Sequence, residues 1–483
     1  MMRNYGGDVK KILFAGIFAA GAAAGLDVTA WKGETVNAFL ARGERVFNVP
    51  QGWQVKVGGC KAVPYASKPH GEVDSKAFDR VVWGDREPGP KIVQVKVPRN
   101  AAAGEYRMGA LKVKVLDKTL PPVKERAYYL DLWQHPWAVA RWNKVEPFSK
   151  EHYAAMEPLW KALAELGQKT VTVTLTDLPW NHQCYDGYGT MVRHIKKADG
   201  SWAFDYKVFD EYVAFALGCG LGPDISCYTL CPWGYRVSWE DEEGNAFKEE
   251  AKPGSELFND YWGAFLPDFA AHLKEKGWFA QTLVAMDERS PEDVRIIADF
   301  VQKKAPGMRV AMAGNRAPSE FDGIKLDVYS QYICHITSKY LADAAERRAQ
   351  GLVSTAYVCC GPDEPNTFMR SNPAEAFCVA LYPAAAGLDG FLRWAYNSWP
   401  EDPARDASFG NWTSGDTFLV YPNGEPSVRL LMFQNGLEAA EKCRVAGKQK
   451  ELAELMDVTA LLKGKGPYFE SVMHQANDIL NKE

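Results

Sequence analysis

The sequence predicts a multidomain α and β protein: an N-terminal β-sandwich at residues 26–125, a (β/α)8 TIM-type barrel at residues 126–447, and a C-terminal helical extension at residues 448–483. Two observations support this fold class. Short stretches of alternating apolar and polar residues, separated by Gly, Pro and Asn clusters, dominate the first part. Beyond residue 128, eight apolar strand-like runs alternate with helix-like segments.

The sandwich is predicted from three segments with a period of two residues. In residues 53–57, 91–97 and 111–115 apolar side chains alternate with Lys or Gln, except that Ile92 directly precedes Val93 in the second segment. This alternation is typical of antiparallel strands with one face in the core and the other in solvent. Two consecutive prolines at 121–122 then indicate a linker to the next domain.

The barrel is predicted from eight strands with helices between most of them. The strands are expected at 128–133, 170–176, 224–231, 281–288, 309–315, 327–333, 353–360 and 390–399. The helices are expected at 149–167, 205–218, 257–277, 291–305, 337–350, 373–387 and 426–445, with none between the fifth and sixth strands. An open doubly wound sheet is the rival fold, but no Gly-rich phosphate loop follows any strand.

The first 25 residues have the pattern of a signal peptide. Lys10 and Lys11 precede an apolar stretch at residues 12–24, and small residues lead out of it. The sequence therefore predicts a secreted or periplasmic protein with no integral membrane segment in the mature chain. A buried N-terminal helix is the alternative interpretation of this stretch.

Composition argues against several classes of function. The formal net charge is −5 and no basic tract is present, so no nucleic-acid partner is expected. The ten cysteines form no CxxC pair and no His/Asp/Glu cluster has ligand spacing, so neither a metal nor another cofactor is expected. The 16 Trp, 21 Tyr and 23 Phe are numerous, and a surplus of Trp suits a site that stacks on sugar rings.

Two adjacent carboxylates mark the candidate active site. Asp287 and Glu288 follow an apolar run, and burying either carboxylate is costly without compensation. They lie at the carboxyl end of the predicted fourth strand, where barrel enzymes carry their active sites. The helix predicted after Ser290 does not require them, because Glu292 and Asp293 already complement its N-terminus. A salt-bridged pair at the barrel rim is the structural alternative.

Other strand ends carry side chains suited to binding a sugar. A pyranose has an apolar face that an aromatic ring can cover, and a rim of hydroxyls that amide, hydroxyl and guanidinium groups can bind. The candidates are Trp180, Asn181 and His182 after the second strand, Trp233 after the third, and Arg393, Trp394, Tyr396 and Trp399 at the eighth.

Several motifs together resemble glycoside hydrolase family 123. They are YYLDLWQHP at 128–136, DGSWAFDY at 199–206, VAMDER at 284–289, GFLRWAYNSW at 390–399, the pair Cys359-Cys360 with PNTF at 365–368, GDTFLVYP at 415–422 and, before the barrel, AWKGE at 30–34. The resemblance extends from about residue 128 to residue 447. This family contains retaining β-N-acetylgalactosaminidases with a sandwich followed by a barrel, and its members use an adjacent Asp-Glu pair with assistance from the substrate.

The resemblance implies a role for each acid. Asp287 would accept the N–H of the substrate's 2-acetamido group and direct the carbonyl oxygen of that group onto the anomeric carbon. Glu288 would protonate the glycosidic oxygen and later deprotonate the attacking water. A tyrosine would donate to the acetamido carbonyl; Tyr332 is the first choice, Tyr329 and Tyr357 are alternatives, and Tyr357 is also a candidate for substrate binding.

The predicted function is removal of β-linked N-acetylgalactosamine (GalNAc) from glycans or glycolipids through an oxazolinium intermediate. The predicted partner is a glycan or glycoside with terminal β-GalNAc. One alternative is a carbohydrate-binding protein on an inactive barrel. Another is a retaining glycosidase with a protein carboxylate as nucleophile, for which Asp177 and Asp186 are the candidates.

Overall fold

The computed structural model describes residues 26–482, which form two compact units. The sandwich unit contains residues 26–128, 358–387 and 400–482, and the barrel unit contains residues 129–357 and 388–399. The predicted signal peptide lies outside the described residues. The unit boundaries differ from the predicted domain boundaries, because residues 358–387 and 400–447 associate with the sandwich rather than with the barrel strands.

The strands of the sandwich unit are β1 (Leu26–Lys32), β2 (Thr35–Leu40), β3 (Gln54–Tyr65), β4 (Ser75–Trp83), β5 (Lys91–Lys96), β6 (Gly104–Met108) and β7 (Leu111–Thr119). The strands of the barrel unit are β8 (Tyr129–Leu132), β9 (Thr170–Thr174), β10 (Arg193–Lys196), β11 (Trp202–Asp205), β12 (Asp224–Tyr228), β13 (Arg236–Asp241), β14 (Ala246–Glu250), β15 (Thr282–Asp287), β16 (Arg309–Gly314), β17 (Val328–Tyr332), β18 (Val353–Tyr357) and β19 (Gly390–Arg393).

The helices of the barrel unit are α1 (Pro136–Asn143), α2 (Lys150–Ala164), α3 (Lys207–Gly218), α4 (Glu256–Lys276), α5 (Pro291–Lys304) and α6 (Ser338–Ala349). Those of the sandwich unit are α7 (Pro373–Ala385), α8 (Val428–Ala446), α9 (Gln449–Leu455), α10 (Val458–Lys463) and α11 (Gly466–Leu480). None of the helices in residues 26–482 is both long enough and apolar enough to span a membrane.

Two sheets build the sandwich, one in the order β1-β7-β6 and the other in the order β2-β5-β3-β4. The three predicted period-two segments lie in β3, β5 and β7. In β5 and β7 the alternation has the predicted effect, because Val93, Val95, Val113 and Val115 are buried in one core cluster. The expectation of a purely antiparallel sandwich is wrong at one pair, since β1 runs parallel to β7.

The eight predicted barrel strands are all present, in the order β8-β19-β18-β17-β16-β15-β12-β9, and every neighbouring pair is parallel. The seam between β8 and β9 is closed by a single bridge, Leu130 to Gln168, and by side chains. The Leu132 N–H donates to Gln168 Oε1 at 2.9 Å, and the Thr172 N–H donates to Gln134 Oε1 at 2.8 Å. The structure is thus a (β/α)8 TIM barrel.

Local signals in the sequence explain where the barrel helices begin. The side chains of Ser149 and Ser290 accept hydrogen bonds from the backbone N–H groups of His152 and Asp293, so both serines cap the N-termini of their helices. Between the fifth and sixth barrel strands there is only a 3-10 turn, Pro318–Phe321, in agreement with the predicted missing helix.

A small four-stranded sheet was not predicted. It has the order β11-β10-β13-β14 and lies in the connections that follow the second and third barrel strands. Its strands are four to six residues long, and β14 is exposed along its whole length. Such short strands on the surface leave a weak pattern in the sequence.

Candidate active site

Asp287 is the last residue of β15, and Glu288 follows it at the carboxyl end of the barrel. Neighbouring residues of a regular strand would point to opposite faces. Glu288 instead has a φ of 51°, in the left-handed region, and its N–H donates to the Ala313 carbonyl of β16 at 2.8 Å. The chain therefore turns at Glu288 while it is still bonded to the adjacent strand, and both carboxyl groups remain at the mouth.

The Glu288 carboxylate is held by two donors from later strands. The Tyr357 hydroxyl, at the end of β18, donates to Oε1 at 2.8 Å. The Asn315 amide, just after β16, donates to Oε2 at 3.0 Å. Each oxygen thus has one protein partner, which fixes the orientation of the carboxyl group.

The electrostatic environment favours retention of a proton by the pair. Burial raises the pKa of Glu288, although the bonds from Tyr357 and Asn315 and the charge of Arg289 oppose this rise. Burial and the charge of Glu288 raise the pKa of Asp287 well above its ordinary value. Because the two adjacent carboxyl groups interact, their protons are lost in steps that belong to the pair rather than to either residue.

The second and third barrel strands supply aromatic groups around Asp287. Trp180 lies near the Asp287 carboxyl group and lowers its pKa, which partly opposes the effect of burial, although the Trp180 indole N–H has no hydrogen-bond partner among the described residues. The Trp233 indole N–H donates to the Asp287 carbonyl oxygen at 3.1 Å, and Arg289 Nε donates to the same oxygen at 3.0 Å. The Arg289 guanidinium also lies 5.4 Å from the centre of a Trp233 ring. The predicted residues Trp180 and Trp233 therefore meet the predicted acid.

Trp180 and Trp233 form part of an aromatic wall beside Asp287. Two further aromatic residues, which were not predicted from the sequence, complete it. Trp133 stacks on Trp180 with ring centres 4.8 Å apart, and Tyr228 lies 4.6 Å from Trp133 and 5.0 Å from Trp180. Tyr228 is the last residue of β12, and Trp133 follows β8. Both residues could have been predicted as site candidates, because they lie at strand ends, and this criterion selected Trp180 and Trp233.

The three candidate tyrosines occupy different places. Tyr332 and Tyr357 are paired residues at the ends of β17 and β18, with ring centres 5.5 Å apart. Tyr329 is buried, its hydroxyl donates to Gln331 Oε1 at 2.8 Å, and its ring packs against Tyr340. Tyr332 thus lies beside Tyr357, which donates a hydrogen bond to Glu288, whereas Tyr329 lies in the core.

The remaining candidates after the second strand lie in an exposed loop. Asn181 is exposed. Its side chain lies close to Gly234, the residue after Trp233, because a Cβ built onto Gly234 would be 3.5 Å from the Asn181 side-chain oxygen. His182 is also exposed. Both therefore remain predictions for sugar binding, and Asn181 has the closer connection to the aromatic wall.

The candidates at the eighth strand are mostly buried. Tyr396 is fully buried, and its hydroxyl donates to the Leu159 carbonyl of α2 at 3.4 Å. Trp399 is 1% exposed and packs against Trp142, while Arg393 is fully buried and Trp394 is half-buried. Tyr396 and Trp399 are packing residues in this structure, and only Trp394 of this group presents an accessible ring.

In the part of the chain that the structure describes, no group of three or more His, Cys, Asp or Glu side chains is arranged to hold a metal ion.

The two candidate nucleophiles, Asp177 and Asp186, both accept hydrogen bonds from other residues of the barrel unit. Asp177 accepts bonds from the Thr190 N–H at 2.8 Å and the Ser238 hydroxyl at 2.6 Å. Asp186 accepts two bonds from Arg141 Nε, at 2.7 and 2.9 Å.

Residues 133–446, more than half of the sequence, match the catalytic domain of glycoside hydrolase family 123. The chain belongs to glycoside hydrolase family 123. This membership makes the protein a glycosidase, and it agrees with the resemblance that the motifs indicated.

One solved structure agrees with this chain in fold over almost its whole length. A family 123 glycoside hydrolase from Clostridium perfringens, described for hydrolysis of glycolipid glycans, is similar with a TM-score of 0.82 and 22% identity, over 95% of this chain and 93% of that one. A β-galactosidase from the psychrophilic Marinomonas ef1 is more distant, with a TM-score of 0.38 and 10% identity, over 72% of this chain and 65% of that one. No curated protein matches.

Proposed function

We propose that this family 123 enzyme removes terminal β-linked GalNAc from glycans or glycolipids with retention of configuration, through an oxazolinium intermediate. The observation that carries the proposal is the position of Asp287 and Glu288: adjacent, at the barrel mouth, and with the backbone turned so that both carboxyls stay there. A substrate-assisted reaction needs two acids with different tasks at neighbouring positions, and adjacency suits it.

Glu288 is the proposed general acid and base. It protonates the glycosidic oxygen while the carbonyl oxygen of the substrate's 2-acetamido group attacks the anomeric carbon and the aglycone leaves. It then removes a proton from the water that attacks the anomeric carbon and reopens the oxazolinium ring. Burial raises the pKa of Glu288, as a general acid requires, and the bonds from Tyr357 and Asn315 fix its orientation.

Asp287 is the proposed partner of the acetamido N–H. As an ionised carboxylate it accepts that N–H and stabilises the positive charge that develops on the group during attack. When substrate binds, the proton of the pair then resides on Glu288. Trp233 holds the backbone of Asp287 through the bond from its indole N–H, and Trp180 lies near the Asp287 side chain.

Tyr332 remains the proposed donor to the acetamido carbonyl. Its ring is beside Tyr357, whose hydroxyl is already bonded to Glu288. Two tyrosines at the ends of adjacent strands allow one to orient the acid and the other to orient the substrate. Tyr329 is a poor alternative because it is buried against Tyr340.

A protein nucleophile is less well supported. A retaining enzyme of that type needs a second carboxylate about 5–5.5 Å from the first. Asp177 and Asp186, in the loop after the second strand, are held by bonds from Thr190, Ser238 and Arg141. A carbohydrate-binding protein without activity would have no need of two adjacent half-buried acids, whose partial burial is unfavourable.

The decisive experiment compares 4-nitrophenyl β-N-acetylgalactosaminide with the matched 4-nitrophenyl β-galactoside. Only the first carries the internal nucleophile, so we expect hydrolysis of the first alone, and competitive inhibition by the GalNAc thiazoline, which mimics the bicyclic intermediate. Comparable rates with both substrates would establish a protein nucleophile and refute the role given to Asp287. The matched N-acetylglucosaminide tests the sugar configuration.

We also propose that the protein is exported, on the basis of the pattern at residues 1–25. Expression of the full chain in a bacterial host with fractionation should place the protein in the periplasm or medium. Its mass should be lower by that of the leader. A full-length mass in the cytoplasm would refute export.

A further inference from the structure

Two consecutive cysteines, Cys359 and Cys360, follow β18 in the sequence and belong to the sandwich unit. Their sulfur atoms lie 3.9 Å apart and are not bonded to each other. Cys360 is exposed and Cys359 is half-buried. Neighbouring side chains of a regular strand point to opposite faces. The chain therefore departs from strand geometry at this point and brings both thiols to one side.

A buried asparagine holds the backbone around this pair. Asn366 Nδ2 donates to the Cys359 carbonyl at 3.0 Å and to the Pro362 carbonyl at 2.7 Å. Asn366 is itself fully buried, and its N–H donates to Glu375 Oε2 at 2.9 Å. The Cys359 N–H donates to the Gly361 carbonyl at 3.0 Å. These bonds fix the turn that brings the two sulfur atoms together.

Most of the other thiols are unsuited to redox chemistry. Burial raises the pKa of Cys60 and Cys231 to about 12 and that of Cys443 to about 11, so these groups carry almost no thiolate at neutral pH. The thiolate is the form that attacks a disulfide. Among the ten cysteines, which all lie in the described part of the chain, Cys334 and Cys360 are the exposed ones. Of these two, Cys360 has a second thiol beside it in the sequence and in space.

A disulfide within the pair would form readily but would be strained. Once an oxidant has reacted with one thiol, attack by its neighbour is intramolecular and therefore favoured. Consecutive Cα atoms lie about 3.8 Å apart, whereas disulfides usually join Cα atoms that are about 4.4–6.8 Å apart. Strained or exposed disulfides are reduced more easily than structural ones. The pair thus suits a bond that forms and opens again.

We infer that Cys359 and Cys360 are a redox modification site, which a small disulfide closes and a small thiol reopens. The Cys360 thiolate attacks one sulfur of oxidised glutathione, which gives a mixed disulfide and releases one glutathione thiolate. The Cys359 thiolate then attacks Cys360 Sγ, forms the bond between the two cysteines and releases the second glutathione thiolate. The two protein thiols give up two electrons and two protons, and one glutathione disulfide becomes two glutathione thiols. This chemistry is independent of the glycosidase reaction.

The test treats the reduced full-length protein with oxidised glutathione, blocks the remaining thiols with iodoacetamide and analyses tryptic peptides by mass spectrometry. The peptide 349–370 contains both residues of the pair and no other cysteine. We expect it to lose about 2 Da and to escape alkylation. Reduced glutathione should then restore its two alkylatable thiols. The peptide with the exposed single residue Cys334 should instead gain about 305 Da, the mass of one bound glutathione.

Two serine variants complete the experiment. In Cys359→Ser the peptide 349–370 should gain about 305 Da, because Cys360 then has no neighbour to release the bound glutathione. Cys334→Ser, which removes the other exposed thiol, is the matched control and should leave the loss of about 2 Da in peptide 349–370 unchanged. The wild-type measurement decides the inference even if Cys359→Ser does not fold.

Several outcomes would overturn the inference. One is a glutathione that stays on peptide 349–370 of the wild type, because the second thiol then fails to reach the first. Another is a peptide that remains fully alkylatable after oxidation, and a third is a disulfide from either residue of the pair to a different cysteine. Closure that reduced glutathione does not reverse would refute the reversible character of the site.

Phenylarsine oxide tests the geometry of the pair without oxidation. Its trivalent arsenic forms bonds to two neighbouring thiols and releases water. The reduced wild type and Cys334→Ser should each gain one arsenical on peptide 349–370, and Cys359→Ser should not. Prior closure by oxidised glutathione should block this reaction. An arsenical bound equally well by Cys359→Ser would show that the two thiols do not act together.

Discussion

Glu288 has an unusual backbone conformation, and each oxygen of its carboxyl group accepts a hydrogen bond. A φ of 51° is uncommon for a residue with a Cβ, and such conformations cost about 1–3 kcal/mol when the surroundings impose them. Here the bond from the Glu288 N–H to Ala313 and the bonds from Tyr357 and Asn315 impose it. The unfavourable conformation keeps the carboxyl beside Asp287, where a regular strand would direct it away.

Substitution Glu288→Gln tests the acid role. Substrates with poor leaving groups need protonation of the glycosidic oxygen, so we expect their kcat/KM to fall by about 10²–10⁴-fold. Activated aryl glycosides need little protonation and should be affected much less in the first step. Kinetics with a series of aryl GalNAc glycosides of different leaving-group pKa checks this. A loss of similar size with every leaving group would contradict the assignment.

Substitution Tyr357→Phe should shift the pH profile. The Tyr357 hydroxyl donates to Glu288 and lowers its pKa, because the bond favours the ionised form. Without this bond the acid keeps its proton to higher pH. The alkaline limb of kcat/KM should therefore move upward, by about 0.5–1 pH unit for a bond of ordinary strength.

Tyr329→Phe is the control for this shift, because its hydroxyl bonds to Gln331 and not to the acids. It should leave the alkaline limb in place. A downward shift in Tyr357→Phe would mean that the hydroxyl stabilises the protonated form of Glu288.

Among the structural elements, the seam of the barrel is the least regular. Strands β8 and β9 share one backbone bridge, and Gln168 and Gln134 supply bonds that a longer ladder would have made. Both side chains are fully or almost fully buried. The role of these two glutamines could not be predicted from the sequence, because it depends on the distance between two strands.

Substitution Gln168→Leu should destabilise the protein by about 1–3 kcal/mol, because the buried Leu132 N–H would lose its acceptor. Urea unfolding measures this loss. Gln475→Leu, in the exposed part of α11, is the control and should change the free energy of unfolding by less than about 0.5 kcal/mol. Equal stability of both variants would show that the seam is closed without Gln168.

For the molecule as a whole, the buried strands of the barrel were the predictable part. All eight barrel strands and the fifth connection without a helix follow from apolar runs and their spacing. The acids, Trp180 and Trp233 follow from their place at strand ends. The left-handed conformation of Glu288 and the bond from Tyr357 to Glu288 could not be predicted, because they depend on contacts between strands far apart in sequence. The burial of Tyr396 and Trp399 could not be predicted either, because it depends on contacts with Leu159 and Trp142, which are far away in the sequence.

Substitution Asp287→Asn should stabilise the unliganded protein in a pH-dependent way. Burial and Glu288 raise the folded-state pKa of Asp287, whereas the unfolded chain ionises it near pH 4. The wild type therefore loses stability as the pH rises from about 4 toward the folded-state pKa, and an amide does not. The difference in unfolding temperature between variant and wild type should grow from pH 4 to pH 8, by differential scanning calorimetry. A constant difference would mean that charge burial is not its cause.

The sandwich unit combines segments from the beginning and the end of the sequence, and this affects how it can fold during synthesis on the ribosome. Asn37, in β2, exchanges hydrogen bonds with Asn435, in α8, a separation of 398 residues. At about 5–20 residues per second, β2 emerges roughly 20–80 s before its partner exists. During this interval the barrel strands β8 to β19 are all made. The nascent sandwich must therefore remain incomplete while the entire barrel sheet is translated, and the N-terminal domain becomes the last part of this enzyme to finish folding.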